Sequence, residues 1–243
     1  MKGLLRLVAL VLVAGLALQL FFLARIASMA VLDPASTTFQ RSEAWRVATE
    51  RDKFRWRQQW VPYAQISDNL KRAVIASEDD GFASHDGVDW DALEKAWERN
   101  AKAQEAAAKR TALARTGTRQ PRIVGGSTIT QQLAKNLLLS GERTLLRKGQ
   151  EFVLAFALER MLSKQRILEI YLNSVEWGEG VFGAQAASQH YFRKGADKLT
   201  TYEAARLAVM LPQPKRFEKN PGSAYLASRA ATITARMRAA ELP

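Results

Sequence analysis

The sequence contains no cysteine and only two histidines, His85 and His190. It therefore cannot form a disulfide, a thiol nucleophile, a cysteine zinc site or a metal site built from several histidines. Acidic residues are also in deficit, because 24 Asp and Glu face 36 Lys and Arg, for a net charge of +12. This imbalance favours an anionic partner, and the charge alone leaves open phospholipid headgroups, a diphosphate or nucleic acid.

One long apolar run stands at the N-terminus. Residues 7–24 are apolar except for Gln19, and Lys2 and Arg6 precede them. A membrane-spanning helix needs about 20 such residues, whereas the apolar part of a cleaved signal peptide usually has about 7–15. We therefore predict a short cytoplasmic N-terminus at residues 1–6 and a retained membrane anchor at residues 7–27. The alternative is a signal peptide cleaved after Ala30, and in both cases the remaining chain lies outside the cytoplasm.

Residues 28–62 are polar and are predicted to connect the anchor to a folded domain. They contain Trp45, Trp56 and Trp60, spaced among arginines. Aromatic residues among cations are typical of a segment at a membrane interface. The alternative is an ordinary connector whose tryptophans pack on the domain.

Residues 63–240 have the periodicity of helices and few strand signals, so the predicted fold is mainly α. A helix is predicted at residues 66–76, and it should end near Glu78. Asp89 is a candidate N-cap for the next helix, whose Ala-rich, charged part at residues 102–115 should project into solvent. The basic stretch at residues 116–122 is either a moving lid or a surface connector. A third helix, capped by Ser127 or Thr128, should run to Leu139.

Glu78 is the first candidate for chemistry. Its neighbours Asp79 and Phe82 supply a like charge and an apolar surface, and both raise the pKa of a carboxyl group. A carboxylate with a raised pKa can act as a base near neutral pH, although most carboxylates are solvated surface groups. His85 either orients this site or is a structural histidine.

A glycine-containing stretch, Gly125-Gly126-Ser127-Thr128, precedes the third helix. Its glycines allow the backbone to approach a ligand, and the helix N-terminus would offer unpaired N–H groups to an anion. No Gly-Lys-Ser/Thr follows, so the stretch is not a Walker loop. The helix then carries Gln131, Gln132, Lys135 and Asn136, which indicate either a wet groove or an ordinary amphipathic helix.

A basic cluster follows the third helix. Arg143, Arg147 and Glu151 stand at steps of four residues, with Lys148 beside them. Side chains at this spacing share one helix face, and two guanidinium groups can hold a diphosphate. The alternative is a solvated ladder of ion pairs, which is common.

Five segments together resemble the peptidoglycan glycosyltransferase family (glycosyltransferase family 51), and they stand in the family's order. They are Glu78-Asp79-x-x-Phe82-x-x-His85-x-Gly87, Gly125-Gly126-Ser127-Thr128-Ile129-Thr130-Gln131-Gln132-Leu133-x-Lys135-Asn136, Arg147-Lys148-x-x-Glu151, Ile167-Leu168-Glu169-x-Tyr171-Leu172-Asn173, and the stretch from Gly178 to Phe192. The resemblance spans residues 66–237 and implies a mainly α, lysozyme-like domain at residues 63–240. No Ser-x-x-Lys or Lys-Thr-Gly occurs, so the resemblance is to members without transpeptidase activity.

The resemblance implies that the chain polymerises lipid II into β-1,4-linked glycan and releases undecaprenyl diphosphate. By motif position, Glu78 would be the base that acts on the acceptor hydroxyl. Glu151 would be a second catalytic group on the donor side, where it organises the cations or a divalent ion. The implied substrate-binding residues are Asp79, Phe82, His85, Ser127, Thr128, Gln131, Gln132, Lys135, Asn136, Arg143, Arg147 and Lys148. Mg²⁺ or Mn²⁺ is a candidate cofactor with a diphosphate substrate, but no ligand set can be read from the sequence.

The implied partners are lipid II, the growing glycan strand, inner-membrane lipids and proteins of cell-wall synthesis or division, but not nucleic acid. The implied location is the bacterial inner membrane, crossed once, with the catalytic domain in the periplasm. Two other functions compete. A lytic enzyme of lysozyme-like fold would share the catalytic glutamate but would not need the basic cluster. A membrane-anchored basic scaffold protein would not need Glu78.

Overall fold

The computed structural model describes residues 1–50, 54–113, 125–142 and 144–243, with the backbone alone at residues 109–113. Arg143 and the predicted loop at residues 116–122 lie outside these ranges. Helices dominate the described ranges, which confirms the predicted mainly α class. In chain order they are α1 (Lys2–Ser28), α2 (Thr38–Glu50), α3 (Asp68–Glu78), α4 (Trp90–Leu113), α5 (Ile129–Leu138), α6 (Leu145–Met161), α7 (Lys164–Ser174), α8 (Ala184–Phe192), α9 (Thr201–Met210), α10 (Pro214–Glu218) and α11 (Ala224–Arg236).

Hydroxyl side chains fix where most of the domain's helices begin. A serine or threonine oxygen at the N-cap accepts a hydrogen bond from a backbone N–H that the helix itself cannot satisfy. The capping residues are Ser67, Thr128, Thr144, Ser163, Thr200 and Ser223. The predicted cap at Asp89 is confirmed, because its Oδ1 accepts from the Ala92 N–H at 2.8 Å. The helix predicted at residues 66–76 is observed as α3, and Glu78 is its last residue.

A small sheet joins the segment after α2 to the segment after α7. Its strands are β1 (Arg57–Gln58), β2 (Glu176–Gly178) and β3 (Val181–Phe182), in the order β1-β3-β2. β1 is parallel to β3 and β2 is antiparallel to it. Gly180 has a φ of +71°, and a Cβ there would lie 2.0 Å from the Arg55 carbonyl oxygen. Only glycine therefore allows this close approach of the two segments.

The core of the domain lies between α3, α5, α7, α9 and α11. α9 packs against both α3 and α11, while α5 packs against α6 and α7. The largest fully buried side chains of the domain include Trp177, Tyr171, Phe82 and Phe182. The Trp177 Nε1–H donates to the Leu207 carbonyl at 3.1 Å, so the indole is satisfied inside the core.

α1 is the described helix that is long and apolar enough to span a membrane. Its first part is exposed, but Phe22, Ile26 and the following Met29 are buried in the domain core. Gln19, the polar residue of the apolar run, exchanges two hydrogen bonds with Gln150 of α6, at 3.0 and 2.9 Å. The C-terminal end of α1 is therefore packed on the domain and held by contacts with it.

The three connector tryptophans have different surroundings. Trp56 stacks on Phe182 with ring centroids 4.5 Å apart, and Trp60 packs on the core beneath the Arg166 guanidinium. Trp45, on α2, is 74% exposed. Packing on the domain thus accounts for Trp56 and Trp60, and only Trp45 is free to meet a membrane interface.

Candidate active site

Glu78 and Asp79 stand together at the end of α3, but their side chains have different surroundings. Asp79 is buried, and its Oδ1 lies 2.8 Å from His85 Nε2. Its Oδ2 accepts from the Ile129 N–H at 2.8 Å. The Gly87 N–H donates to His85 Nδ1 at 3.1 Å, so His85 donates the Nε2 proton to Asp79. These contacts are internal and fix the α3 end against α5.

Glu78 is partly exposed and accepts two hydrogen bonds. Gln132 Nε2 donates to its Oε2 at 3.1 Å, and Ser77 Oγ donates to its Oε1 at 3.4 Å. Burial raises the pKa of the Glu78 carboxyl, the bonds from Gln132 and Ser77 oppose that rise, and the charge of Asp79 adds to it. A carboxylate with a raised pKa has the properties of a general base.

Tyr171 holds Gln132 in the orientation that Glu78 needs. The Tyr171 hydroxyl donates to Gln132 Oε1 at 3.0 Å, which leaves the amide Nε2 to face Glu78. Burial raises the pKa of Tyr171 well above its usual value, so the hydroxyl stays a proton donor at neutral pH. The sequence analysis did not select Tyr171, although it stands in the fourth motif.

The N-terminus of α5 is not an open anion site. Asp79 Oδ2 accepts a hydrogen bond from the Ile129 N–H, and Thr128 Oγ1 accepts one from the Gln131 N–H at 3.1 Å. The Gln131 side chain completes a capping box, and the Thr128 hydroxyl donates to the Gly87 carbonyl at 2.7 Å. The prediction of unpaired N–H groups is therefore wrong for Ile129 and Gln131, because the protein's own carboxylate and hydroxyl occupy them.

Phe82, Thr128 and Gln131 are buried structural residues in this arrangement. Phe82 is fully buried, edge-on to His85, and Lys164 Nζ lies 4.6 Å from its ring centroid. Thr128 and Gln131 cap α5, as described above. These three side chains position the site and do not border its cavity.

Two cations converge on Glu151 in the first turns of α6. Glu151 is 3% exposed, and its Oε2 lies 2.8 Å from Arg147 Nη1. Its Oε1 pairs with Lys148 Nζ, which also donates to Ser127 Oγ at 3.2 Å. The predicted shared face of Arg147 and Glu151 is confirmed. In the described ranges the buried Nε of Arg147 has no hydrogen-bond partner, so this cluster keeps an unused donor and a net positive charge.

A cavity of about 640 Å³ lies beside these groups. One wall carries polar side chains of α5, α6 and α7, namely Gln132, Lys135, Asn136, Arg147 and Tyr171. The lining also includes residues of α2, β2 and α10 and the C-caps of α7 and α9, namely Phe39, Glu43, Glu176, Pro214, Val175 and Leu211. The polar face of α5 therefore lines a groove, which favours the predicted wet groove over an ordinary amphipathic helix.

The residues of α2, β2 and α10 beside the cavity form a charge network that the sequence did not indicate. Glu176 is 8% exposed, and its Oε1 lies 3.4 Å from Lys215 Nζ, which also pairs with Glu43. Arg46 Nη2 forms ion pairs with both Glu43 Oε2, at 2.9 Å, and Glu179 Oε1, at 3.1 Å. Burial raises the pKa of Glu176 to about 7, opposed mainly by the charge of Lys215. Glu43 and Arg46 are three residues apart on α2, but no spacing in the sequence links them to Glu176, Glu179 and Lys215, which lie on other segments.

Residues 46–238 match the family described as Transglycosylase. The chain belongs to this family. A biosynthetic peptidoglycan transglycosylase of Burkholderia orbicola (strain MC0-3) is 52% identical over 230 residues, covering 95% of this chain and 87% of the relative. That of Paraburkholderia xenovorans (strain LB400) is 51% identical over 235 residues, covering 97% and 91%. The helical transglycosylase domain has the lysozyme-like fold that the sequence resemblance implied.

Proposed function

We propose that this transglycosylase polymerises lipid II into β-1,4-linked glycan strands and releases undecaprenyl diphosphate, with Glu78 as the general base. The family and the names of the relatives support peptidoglycan glycosyl transfer as the activity. The observation that carries the residue assignment is the Glu78 carboxylate. Burial raises the pKa of this carboxyl group, and Gln132, which donates a hydrogen bond to it, lines a cavity with cations in its wall.

The proposed reaction inverts an α-linked diphosphate to a β-linked glycoside in one displacement. Glu78 accepts the proton from the acceptor's 4-hydroxyl as the oxygen attacks the anomeric carbon of the donor. The Gln132 amide keeps the carboxylate oriented, and Tyr171 keeps that amide oriented. The proton goes to Glu78, and the bond between the anomeric carbon and the diphosphate oxygen breaks.

The leaving diphosphate gains negative charge, so cations should stabilise the transition state. Lys135 and Arg147 border the cavity, and Arg147 has its unused Nε donor. We propose these two as the principal contacts, with Lys148, Ser127 and Asn136 beside them. Arg143 keeps its proposed role, but it lies outside the described residues.

Glu151 is proposed to organise this cluster. Its two oxygens already hold Arg147 and Lys148, so the cations remain in place when no substrate is present. In the part of the chain that the structure describes, no group of three or more acidic or histidine side chains could hold a metal ion. Mg²⁺ usually binds through one or two carboxylates together with substrate phosphates, so a divalent cation that arrives with the diphosphate stays a proposal, and we assign no step to it.

The proposed location is the bacterial inner membrane, with the domain on the periplasmic side. α1 is long and apolar enough to cross once, and Lys2 and Arg6 precede its apolar run. Lipid II and the glycan strand are then reached at the membrane surface. Partners in cell-wall synthesis or division would be met on the same side, and nucleic acid would not.

The basic cluster favours glycan synthesis over the rival lytic function. A lytic enzyme cleaves a neutral glycosidic bond and has no diphosphate for Lys135 and Arg147 to stabilise. One assay separates the two. Purified protein with labelled lipid II should form a polymer that lysozyme digests, whereas solubilisation of existing glycan without use of lipid II would reject the proposal.

A further inference from the structure

Two arginine side chains converge on one carbonyl oxygen where α1 meets α2. Arg25 Nη2 and Arg41 Nη1 each donate to the Ser36 carbonyl at 3.2 Å, and Arg41 Nη1 also lies 3.0 Å from Ser36 Oγ. Two positive charges held this close repel each other unless an anion lies beside them. In residues 1–50, 54–113, 125–142 and 144–243, no carboxylate forms an ion pair with either, and Asp33, which lies between them in the sequence, is bound to Arg166 at 2.8 Å.

The position of this pair relative to α1 indicates which anion it meets. Arg25 directly follows the apolar residues 7–24, so an anchor that spans the bilayer brings its guanidinium to the headgroup level. Lys2 and Arg6 mark the opposite membrane face. The groups that are abundant at headgroup level and carry negative charge are lipid phosphates.

We propose that Arg25 and Arg41 form a binding site for the phosphate of an anionic phospholipid in the outer leaflet of the membrane. The planar guanidinium group binds phosphate oxygens in pairs, and two such groups can share one phosphate. Arg25 is half-buried, which limits its conformations and favours a defined site over diffuse attraction. The proposal depends on the membrane anchor and not on the assigned catalytic roles.

Hydrogen bonds connect this site to the cavity wall. Arg41 Nη2 donates to Thr38 Oγ1 at 3.0 Å, and the Thr38 hydroxyl donates to the Leu137 carbonyl at the end of α5, also at 3.0 Å. Phe39 and Glu43, also on α2, border the same cavity as Lys135. A bound phosphate would therefore hold the start of α2 against α5, and an anionic lipid should raise the rate of polymerisation.

The test uses full-length protein in nanodiscs of phosphatidylcholine, with and without phosphatidylglycerol. Native mass spectrometry after release measures the retained phosphatidylglycerol, and labelled lipid II measures polymerisation. The double variant Arg25→Gln/Arg41→Gln removes both guanidinium groups, and Arg25→Lys/Arg41→Lys keeps the charge without the paired donors. Arg229→Gln/Arg238→Gln removes the same charge from exposed positions in and after α11.

The wild type and the Arg229/Arg238 variant should retain phosphatidylglycerol and be activated by it. Both Arg25/Arg41 variants should bind it at least about tenfold more weakly, the effect of one lost charged hydrogen bond. Equal retention by the glutamine variant overturns the site, and wild-type retention by the lysine variant shows diffuse attraction instead. If the wild type released from nanodiscs that contain phosphatidylglycerol retains undecaprenyl diphosphate and no phosphatidylglycerol, the proposed phospholipid site is also overturned. Glu78→Gln should still retain the lipid, so the failure of the catalytic assignment is separately visible.

Discussion

Replacing Glu78 with glutamine tests the proposed base with little change of shape. The amide oxygen can still accept the 3.1 Å hydrogen bond from Gln132 Nε2, so the Gln132–Tyr171 arrangement should persist. The amide cannot accept a proton from the acceptor hydroxyl. The loss of a general base typically lowers a rate about 10²–10⁴-fold, which corresponds to about 3–5 kcal/mol of barrier. We therefore expect a fall of this size in the rate of lipid II polymerisation.

The same variant should not lose stability. Because burial raises the pKa of Glu78 in the folded state, its ionisation opposes folding as the pH rises through that pKa. Glu78→Gln should therefore melt at or above the wild-type temperature at neutral pH. In the wild type, the same raised pKa should make the polymerisation rate fall on the acid side as the carboxyl becomes protonated.

The matched control is Glu94→Gln, an exposed residue of α4 that should keep full activity. Polymerisation is followed by the size distribution of labelled glycan, and folding by circular dichroism and thermal melting. If folded Glu78→Gln polymerises lipid II at the wild-type rate, Glu78 is not the base. Glu151, the buried carboxylate that pairs with Arg147 and Lys148, would then be the next candidate, and Glu151→Gln would be the next variant to measure.

Three other changes test separate parts of the structure. Arg147→Ala should slow polymerisation by raising the barrier by several kcal/mol. Arg147→Lys should restore the rate only in part, because lysine lacks the paired donors. Wild-type rates for both variants would show that the cluster is a solvated ladder of ion pairs. Asp79→Asn should lower the free energy of unfolding by about 1.5–3 kcal/mol, because Asp79 binds His85 and the Ile129 N–H, and an unchanged melting temperature would contradict this role. Glu176 has a folded pKa of about 7 against an ordinary 4.5, so wild-type stability should fall as the pH rises from about 4.5 through 7, by at most roughly 3 kcal/mol. Glu176→Gln should remove this pH dependence in thermal melts, and a variant with the wild-type profile would show that Glu176 is not the titrating group.

Local patterns in the sequence predicted the elements that carry the site. The apolar face of α3 placed Glu78 near a helix end, and hydroxyl caps such as Thr128 marked helix starts, because both depend on neighbouring residues. The four-residue step between Arg147 and Glu151 predicted their pairing for the same reason. The apolar run at residues 7–24 likewise predicted a helix long enough for a membrane. Ordered motifs then predicted the family, which the comparisons show.

Contacts between distant segments could not be predicted in this way. The sequence showed Asp79 as a neighbour that tunes Glu78, whereas the fold places its carboxylate on the N-terminus of α5 and closes the expected anion site. The tertiary structure alone brings Tyr171 to Gln132, and joins Glu176 to Lys215 and Glu43 beside the cavity. These contacts depend on how α2, α5, α7 and α10 pack, and no spacing along the chain encodes that packing. The sequence by itself determined the helices, the apolar N-terminal run and the family, and the packing decided which side chains line the cavity.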